Sequence, residues 1–277
     1  APGVLAILEK AHRERDFFGT RFNVYSGLCA HYGYALGMLG KFEEGKPWFK
    51  RGFDFAFEVG ALYGLGLLEF FYGLSFSFAG DGKNAVDHLE KSTKYFEDVQ
   101  SVLTSGFAWG GLGYGYYLLG GLETAQNYIE KGISIIKDRQ ISVFLSMHLL
   151  HLAMVHFESG DLKKAQDRIE EAVKLSQKTG ERHWQAYSRT WQGRILGKDE
   201  ASRAGEAEEY ILQGIKICNE LKIKPFSAQG YLFLGELYTE TGQREKALEN
   251  LKKAEEMFQE MGMDYWLTKT QEVLARL

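Results

Sequence analysis

The sequence is poor in proline and cysteine, and it has no strong excess of either charge. Its 277 residues include three prolines and two cysteines, and 33 Lys and Arg residues stand against 37 Asp and Glu residues. A nearly balanced charge supplies no strong field for recruiting nucleic acid or an anionic membrane, so neither is a predicted partner. The widely separated Cys29 and Cys218 exclude a disulfide framework and favour reduced, buried thiols in a cytoplasmic protein.

The sequence also lacks a charged-then-apolar leader, and we find no apolar run approaching the roughly 18 to 20 residues that span a bilayer. With 45% apolar residues the chain can bury a large core. We therefore expect a folded cytoplasmic protein. Because the first residue is Ala1 rather than Met, we also expect the sequence to be a segment of a larger protein.

Glycine is abundant, with 32 residues, and its spacing reveals an internal repeat of 40 residues. One series consists of turn glycines, each followed five residues later by a small residue: Gly40/Gly45, Gly80/Ala85, Gly120/Ala125 and Gly160/Ala165, continued by Ala207 and by Gly242/Ala247. A second small-residue series runs through Gly52, Ser92, Gly132, Ala172, Gly214 and Ala254. A third precedes the turns: Gly33, Gly73, Gly113, Ala153, Gly193 and Gly235. Three series in phase indicate repeated structure.

The apolar period between these positions is helical. In residues 160–180, apolar and small residues recur at spacings of three and four, with Asp161 as a plausible N-cap and Gly180 as a helix stop. Each repeat is therefore predicted to be a hairpin of helix A, before the turn, and helix B, after it, with small residues where the two helices cross.

The resulting prediction is an all-α array of about six helical hairpins with a lone helix at each end, forming one solenoid domain over residues 1–277. Its expected segments are a half repeat at 1–19, repeats at 20–60, 61–100, 101–140, 141–180, 181–222 and 223–262, and a terminal helix at 263–277. The exposed face of the half repeat is also expected to allow pairing of two copies.

The phrases GYALGMLGKFEEG, GLGYGYYLLGGLETA, AMVHFESGDLKKA and GELYTETGQREKA resemble the tetratricopeptide repeat in a variant of about 40 residues. ENLKKAEEMFQEMGMDYW, residues 249–266, is similar to the C-terminal helical arrays of MalT-like regulators and of multidomain bacterial ATPases and adenylate cyclases. The resemblance covers nearly the whole chain. It implies a right-handed α-α superhelix in which the A helices line a concave face, and it implies that partners bind on this face.

Two glycine-rich segments resemble nucleotide-binding loops in sequence. GKFEEGKP, residues 40–47, fits a phosphate loop except that Pro47 replaces the Ser or Thr, and its glycines occupy the repeat's turn and packing positions. GGLGYG, residues 110–115, falls inside a predicted A helix and lacks the dinucleotide spacing. We interpret both as structural, and no cofactor is predicted.

The sequence gives little evidence for a catalytic or metal-binding site. His148, His151 and His156 lack the i,i+4 spacing that metal sites on one helix favour, and ordinary packing or lining of the groove is the better interpretation. Glu69 falls at a core position, where we expect a local salt bridge or a shifted helix phase rather than a catalytic acid with a raised pKa. With no recognisable catalytic arrangement, the chain is predicted not to be an enzyme.

The predicted partner-binding residues are those that point inward from the A helices. At 100° per residue they oppose the positions that face the hairpin core. They are His31, Tyr34, Leu67, Phe70, Phe71, Leu74, Phe107, Tyr114, Tyr117, Met147, His151, Met154, Trp191 and Arg194.

These residues leave two structural interpretations open. An aromatic inner face is either an open groove that a partner covers, or packed core between tightly curved helices.

Three functions are compatible with an open groove. The chain could be a protein or peptide interaction module acting in trans, a domain that docks on another part of its own chain, or, as the MalT-like resemblance implies, a sensor of a small sugar-like molecule. Basic or amide residues along the groove would favour a peptide, and a closed polar pocket would favour a small ligand. The broad apolar surface favours protein interaction, in cis or in trans, within a signalling protein.

Overall fold

The structure, a computed structural model, describes residues 2–20 and 23–277. These residues fold into fourteen α-helices and one short 3-10 helix, without a β-strand. The prediction of an all-α protein is confirmed. The chain divides into two compact units, Ala1–Ile135 and Ile136–Leu277, and each is described by itself. The prediction of one continuous domain stays a prediction.

Unit 1 contains a lone N-terminal helix and three helical hairpins. Its helices are α1 (Pro2–Lys10), α2 (Val24–Met38), α3 (Phe42–Glu58), α4 (Leu62–Ala79), α5 (Gly82–Asp98), α6 (Val102–Leu118) and most of α7 (Leu122–Asp138). Helices α2 and α4 pack against their hairpin partners α3 and α5, and α2, α4 and α6 pack against one another in sequence. The predicted A and B helices thus form two layers.

Unit 2 repeats this arrangement and ends in a single helix. After the last turn of α7 its helices are α8 (Leu145–Glu158), α9 (Leu162–Thr179), α10 (Arg182–Asp199), α11 (Ala204–Glu220), α12 (Lys224–Glu240), α13 (Arg244–Met261) and α14 (Asp264–Leu274). The 3-10 helix Ala201–Arg203 separates α10 from α11 and accommodates the longer connection of this hairpin. Helices α8, α10, α12 and α14 form the A layer.

Glycines on the A helices allow each hairpin to close. A methyl group added at Gly33 would lie 2.6 Å from the Phe49 ring of the facing B helix. A methyl group added at Gly73 would lie 2.6 Å from Leu89. One added at Gly235, the equivalent glycine of the last hairpin, would lie 2.4 Å from Leu251. A larger side chain at these positions would push the two helix axes apart. The small-residue series therefore marks the positions where helix A crosses helix B.

The turn glycines have backbone conformations that favour glycine. Gly40, Gly80, Gly120 and Gly160 have φ between 76° and 84°, in the left-handed region. In GKFEEGKP, Gly40 therefore forms the turn, while Gly45 lies buried on α3, where an added methyl group would lie 3.1 Å from the Gly33 carbonyl oxygen. This phrase is a turn followed by a helix that contains Pro47.

Helix α4 corrects the expectation that no apolar run is long enough to span a bilayer. Leu62–Ala79 has 18 residues and sufficient apolar character by length and composition, and it is the one such helix among the described residues. About 72% of it is buried inside the protein. Packing therefore accounts for its composition, as in the core helix of a folded protein.

Apolar side chains are exposed near the start of unit 1. Leu5 and Leu8 of α1 are buried, whereas Val4 and Ile7 are 49% and 65% exposed. Phe17 and Phe18, in the segment after α1, are about half exposed. The exposure expected for the half repeat is present, and pairing of two copies through it stays a prediction.

Replacing Gly193 by alanine tests the packing role of the A-helix glycines. Its methyl group would lie 2.4 Å from the Ala207 carbonyl oxygen and 2.6 Å from Ile211. We expect Gly193→Ala to lower the free energy of unfolding by about 1–3 kcal/mol, as overpacking does. Urea denaturation measures this change.

Gly205 of the same hairpin is the matched control, because no atom lies within 4 Å of an added methyl group. Gly205→Ala should leave stability unchanged or raise it by up to about 1 kcal/mol, as alanine has the higher helix propensity. Equal effects of the two substitutions would contradict the packing role.

The two thiols provide a second test of the fold. Cys29 and Cys218 are free and fully buried, and burial raises the pKa of each to about 12. Because the thiolate is the reactive form, neither should react with a disulfide reagent in the native protein at pH 8, and both should react in denaturant. Rapid reaction of one thiol in the native protein would show that its helix opens locally.

Candidate functional site

Most of the residues predicted to bind a partner lie in the interior. Ten of the fourteen are buried: Leu67, Phe70, Phe71, Leu74, Tyr114, Tyr117, Met147, His151, Met154 and Trp191. His31 is exposed, and Tyr34, Phe107 and Arg194 are half-buried. The ten buried residues act as packing residues here, whereas the role of the set in partner binding stays a prediction.

In unit 1 the A helices approach one another too closely to leave an open groove. A methyl group added at Gly37 of α2 would lie 2.2 Å from the Ser75 hydroxyl of α4. One added at Gly111 of α6 would lie 3.4 Å from Leu74 and 3.6 Å from Phe70 of α4. The inward-pointing side chains of α4 therefore pack between the neighbouring A helices.

The accessible residues of unit 1 cover this packed layer. The His31 and Tyr34 rings lie 4.5 and 5.0 Å from the Phe71 ring, centroid to centroid. The His31 Nδ1 atom lies 2.7 Å from the Gly27 carbonyl oxygen, within hydrogen-bond distance. This contact orients the ring along α2. Unit 1 thus presents only the edge of its aromatic layer on this side.

In unit 2 the first predicted residues are also interior. Met147 and Met154 are fully buried on α8. Burial, together with the neighbouring His148, holds the pKa of His151 well below its usual range, so the imidazole is neutral at pH 7. The histidines of α8 are buried packing residues, which is one of the two roles that the sequence left open.

Arg194 is the predicted residue of unit 2 that combines charge with access. Its side chain is 16% exposed, and its Nε and Nη2 atoms donate to the two carboxylate oxygens of Glu236 at 2.8 and 3.0 Å. Its Nη1 atom lies 3.7 Å from Glu158, an ion pair beyond hydrogen-bond length. The guanidinium carbon is 4.3–4.9 Å from the centres of three aromatic rings, those of Phe157, Trp191 and Phe233. We call these six residues the Arg194 cluster.

The cluster is built by successive A helices of unit 2, namely α8, α10 and α12. Lys198, one turn after Arg194, donates to Glu240 at 2.9 Å, one turn after Glu236. A cavity of about 30 Å³ lies between these pairs, with Gly193 and Gly197 in its wall. Burial and the nearby Glu158 raise the pKa of Tyr265 on α14, while Arg194 opposes the shift. The site therefore combines a guanidinium, carboxylates and aromatic rings.

The sequence interpretation placed Arg194 on the inner face but did not predict the ion pairs along this face. A detectable signal was present, since Arg194 and Glu236, and also Lys198 and Glu240, are each 42 residues apart. That separation matches the repeat spacing across the longer fifth hairpin. Opposite charges at equivalent positions of consecutive A helices predict ion pairs along one face.

Glu69 has the partner that the sequence led us to expect. Its carboxylate is buried on α4 and lies 2.5 Å from His88 Nδ1 on α5. The His88 ring also packs against Tyr72 and Phe76. Among residues 2–20 and 23–277, no group of three or more His, Cys, Asp or Glu side chains could hold a metal ion.

A pair of substitutions separates packed from accessible inner-face residues. Phe70 is 2% exposed, so Phe70→Ala should lower the free energy of unfolding by about 3–5 kcal/mol through loss of burial and formation of a cavity. His31→Ala, on the exposed edge, should cost less than about 1 kcal/mol. Urea denaturation of both variants measures the difference. A small loss for Phe70→Ala would contradict its interior position.

Comparison with known proteins identifies the family and the fold of this chain. The family profile described as the MalT-like TPR region matches residues 83–277. None of the curated proteins compared with the chain matches it in sequence.

Three solved structures illustrate the structural similarity. A Rap protein complexed with Competence and Sporulation Factor has a TM-score of 0.70 at 11% identity, over 86% of this chain and 64% of that chain. The Rap conjugation gene regulator of plasmid pLS20, in complex with the Phr* peptide, has a TM-score of 0.64 at 14% identity, over 90% of this chain and 73% of its own. A STAND signal-transduction ATPase with a tetratricopeptide repeat sensor, from Pyrococcus horikoshii, has a TM-score of 0.52 at 15% identity, over 90% of this chain and 38% of its own.

At these identities the similarity concerns the fold, and it confirms the predicted tetratricopeptide-like repeat solenoid. The matched residues make up more than half of the sequence and include every residue of the Arg194 cluster. The chain belongs to the MalT-like TPR family.

Proposed function

We propose that this chain is a non-catalytic protein or peptide interaction module of a cytoplasmic, multidomain signalling protein, and that the Arg194 cluster is its main contact. The observation that carries the proposal is the position of Arg194. Three aromatic rings and two carboxylates surround this guanidinium, and its side chain remains partly exposed on the A-helix layer.

The composition of the cluster suits protein recognition. Arginine and aromatic side chains are enriched among the residues that dominate binding energy at interfaces. The bidentate bond to Glu236 and the surrounding rings hold the guanidinium in place before a partner arrives. Little side-chain entropy would therefore be lost on binding.

Glu158 provides an accessible charge beside this rigid centre. Its side chain is 43% exposed, and its 3.7 Å separation from Arg194 leaves the carboxylate oxygens accessible to another donor. The Arg194 cluster can thus contact a partner through the half-buried Phe157 ring and through the Glu158 carboxylate. Its charges form ion pairs, an arrangement that suits recognition better than proton transfer.

The fold comparison supports the same class of function. The pLS20 Rap regulator has a similar fold and is in complex with the Phr* peptide. The proposal extends that class of interaction to this chain and leaves open whether the partner is a separate protein or another domain of the same protein.

Capture experiments with matched variants test the proposal. The full chain is used as bait in lysate, and captured proteins are identified by mass spectrometry and then titrated individually. We expect Arg194→Gln to weaken binding of a genuine partner at least tenfold, because the guanidinium and its contacts with the rings are lost. Glu158→Gln, at an exposed position, should also weaken binding without affecting the fold.

The control is Arg182→Gln, which removes an arginine that is 55% exposed and paired with Glu220 elsewhere in unit 2. This variant should bind as the wild type does. Circular dichroism and urea denaturation establish that the variants are folded. Equal binding by all four proteins would refute a role for the Arg194 cluster.

A further inference from the structure

A ligand-sized cavity of about 660 Å³ lies in unit 1, between the segment after α1 and helix α3. Small-molecule sites usually occupy about 300–1,000 Å³. None of the described residues that line this cavity belongs to the sequence-predicted site or to the Arg194 cluster. Its chemistry is also different, because charged side chains of both signs surround an aromatic floor.

The floor is held by a network of hydrogen bonds and rings. Tyr25 is 5% exposed and packs against Phe55, with the ring centroids 4.8 Å apart. Its hydroxyl donates to Glu9 Oε1 at 2.6 Å and accepts a hydrogen bond from Arg51 Nε at 2.6 Å. Arg51 also pairs directly with Glu9 and lies 5.4 Å from the centre of the Trp48 ring. These contacts fix the Arg51 guanidinium at the edge of the cavity.

The remaining charges are held by weaker contacts. Lys50 pairs with Asp54 at 2.5 Å, and Arg15 pairs with Glu58 at 2.6 Å. All four side chains are more than 60% exposed. Exposed ion pairs contribute at most about 1 kcal/mol, so a ligand with its own charges can replace them at little cost.

Along α3 the basic residues of the lining come first and the acidic residues follow, although Lys50 and Asp54 pair across one turn. Lys50 and Arg51 precede Asp54 by about one turn and Glu58 by about two turns. With a rise of 1.5 Å per residue, Arg51 and Glu58 are about 10 Å apart along the helix axis. An extended tripeptide has nearly the same length, about 10 Å. The lining has three bases, Arg15, Lys50 and Arg51, and three acids, Glu14, Asp54 and Glu58.

We propose that this cavity binds a short zwitterionic peptide, of about three residues, with both termini free. Lys50 and Arg51 receive the terminal carboxylate, Asp54 and Glu58 receive the terminal ammonium group, and Tyr25 and Phe55 lie beneath the peptide. A polyanion or polycation would meet like charges on half of the lining. The site gives the chain a small-ligand function that is independent of the proposed protein contact at the Arg194 cluster.

Titration of the full chain with trialanine tests this site. Isothermal titration calorimetry at low ionic strength is combined with intrinsic tryptophan fluorescence, to which Trp48 beside Arg51 contributes. We expect a dissociation constant of about 1 mM or tighter for trialanine with free termini. Acetylation of its amino terminus or amidation of its carboxyl terminus should each weaken binding at least tenfold.

Variants then test which side chains bind the amino terminus and which bind the carboxyl terminus of the peptide. In Glu58→Gln the free peptide should bind more weakly, and acetylation of the peptide should have a much smaller further effect than in the wild type. In Lys50→Gln, amidation should have the smaller effect. Lys50 is 75% exposed, so this variant avoids the structural contacts of Arg51 and should fold normally.

Glu220→Gln, which removes a paired, exposed carboxylate of unit 2, is the matched control and should bind as the wild type does. Absence of binding at several millimolar trialanine would overturn the proposal. So would equal binding of free and capped peptides, or equal behaviour of Glu58→Gln and Glu220→Gln. None of these results depends on partner capture by the Arg194 cluster.

Discussion

The close crossing of helix A over helix B is the contact on which the rest of the structure depends. At Gly33, Gly73 and Gly235 the A helix has no side chain, and a large apolar side chain of the B helix occupies the space. This contact sets the distance between the helices and buries the apolar stripe of both. Because it recurs once per repeat, the hairpins within each unit can stack with similar geometry.

The same use of small residues also closes the inner face. Within unit 1, Gly37 and Gly111 allow neighbouring A helices to approach so closely that the side chains between them become core. Aromatic residues that would form a groove on more widely spaced helices are buried here. The recognition surface that we propose is therefore limited to positions where charged side chains remain accessible. In unit 2 this occurs around Arg194, where ion pairs connect consecutive A helices.

The two units thus provide different chemistry on the same kind of scaffold. Unit 1 combines an aromatic interior with a polar cavity beside α3, whose floor is formed by Tyr25 and Phe55. Unit 2 has the Arg194 cluster on its A-helix layer. Under the two proposals, a partner protein and a small ligand bind to separate surfaces of the chain.

The sequence alone determined the repeat and its secondary structure, because turn glycines and small crossing residues lie at fixed spacings that only a helical hairpin explains. It also identified Arg194 as an inward-pointing residue and Glu69 as an acid needing a local partner. It could not decide whether Phe70 or Tyr114 is groove or core, because that depends on the distance between A helices about 40 residues apart. The cavity beside Arg51 likewise required the tertiary structure, since it exists only when the segment after α1 packs near α3.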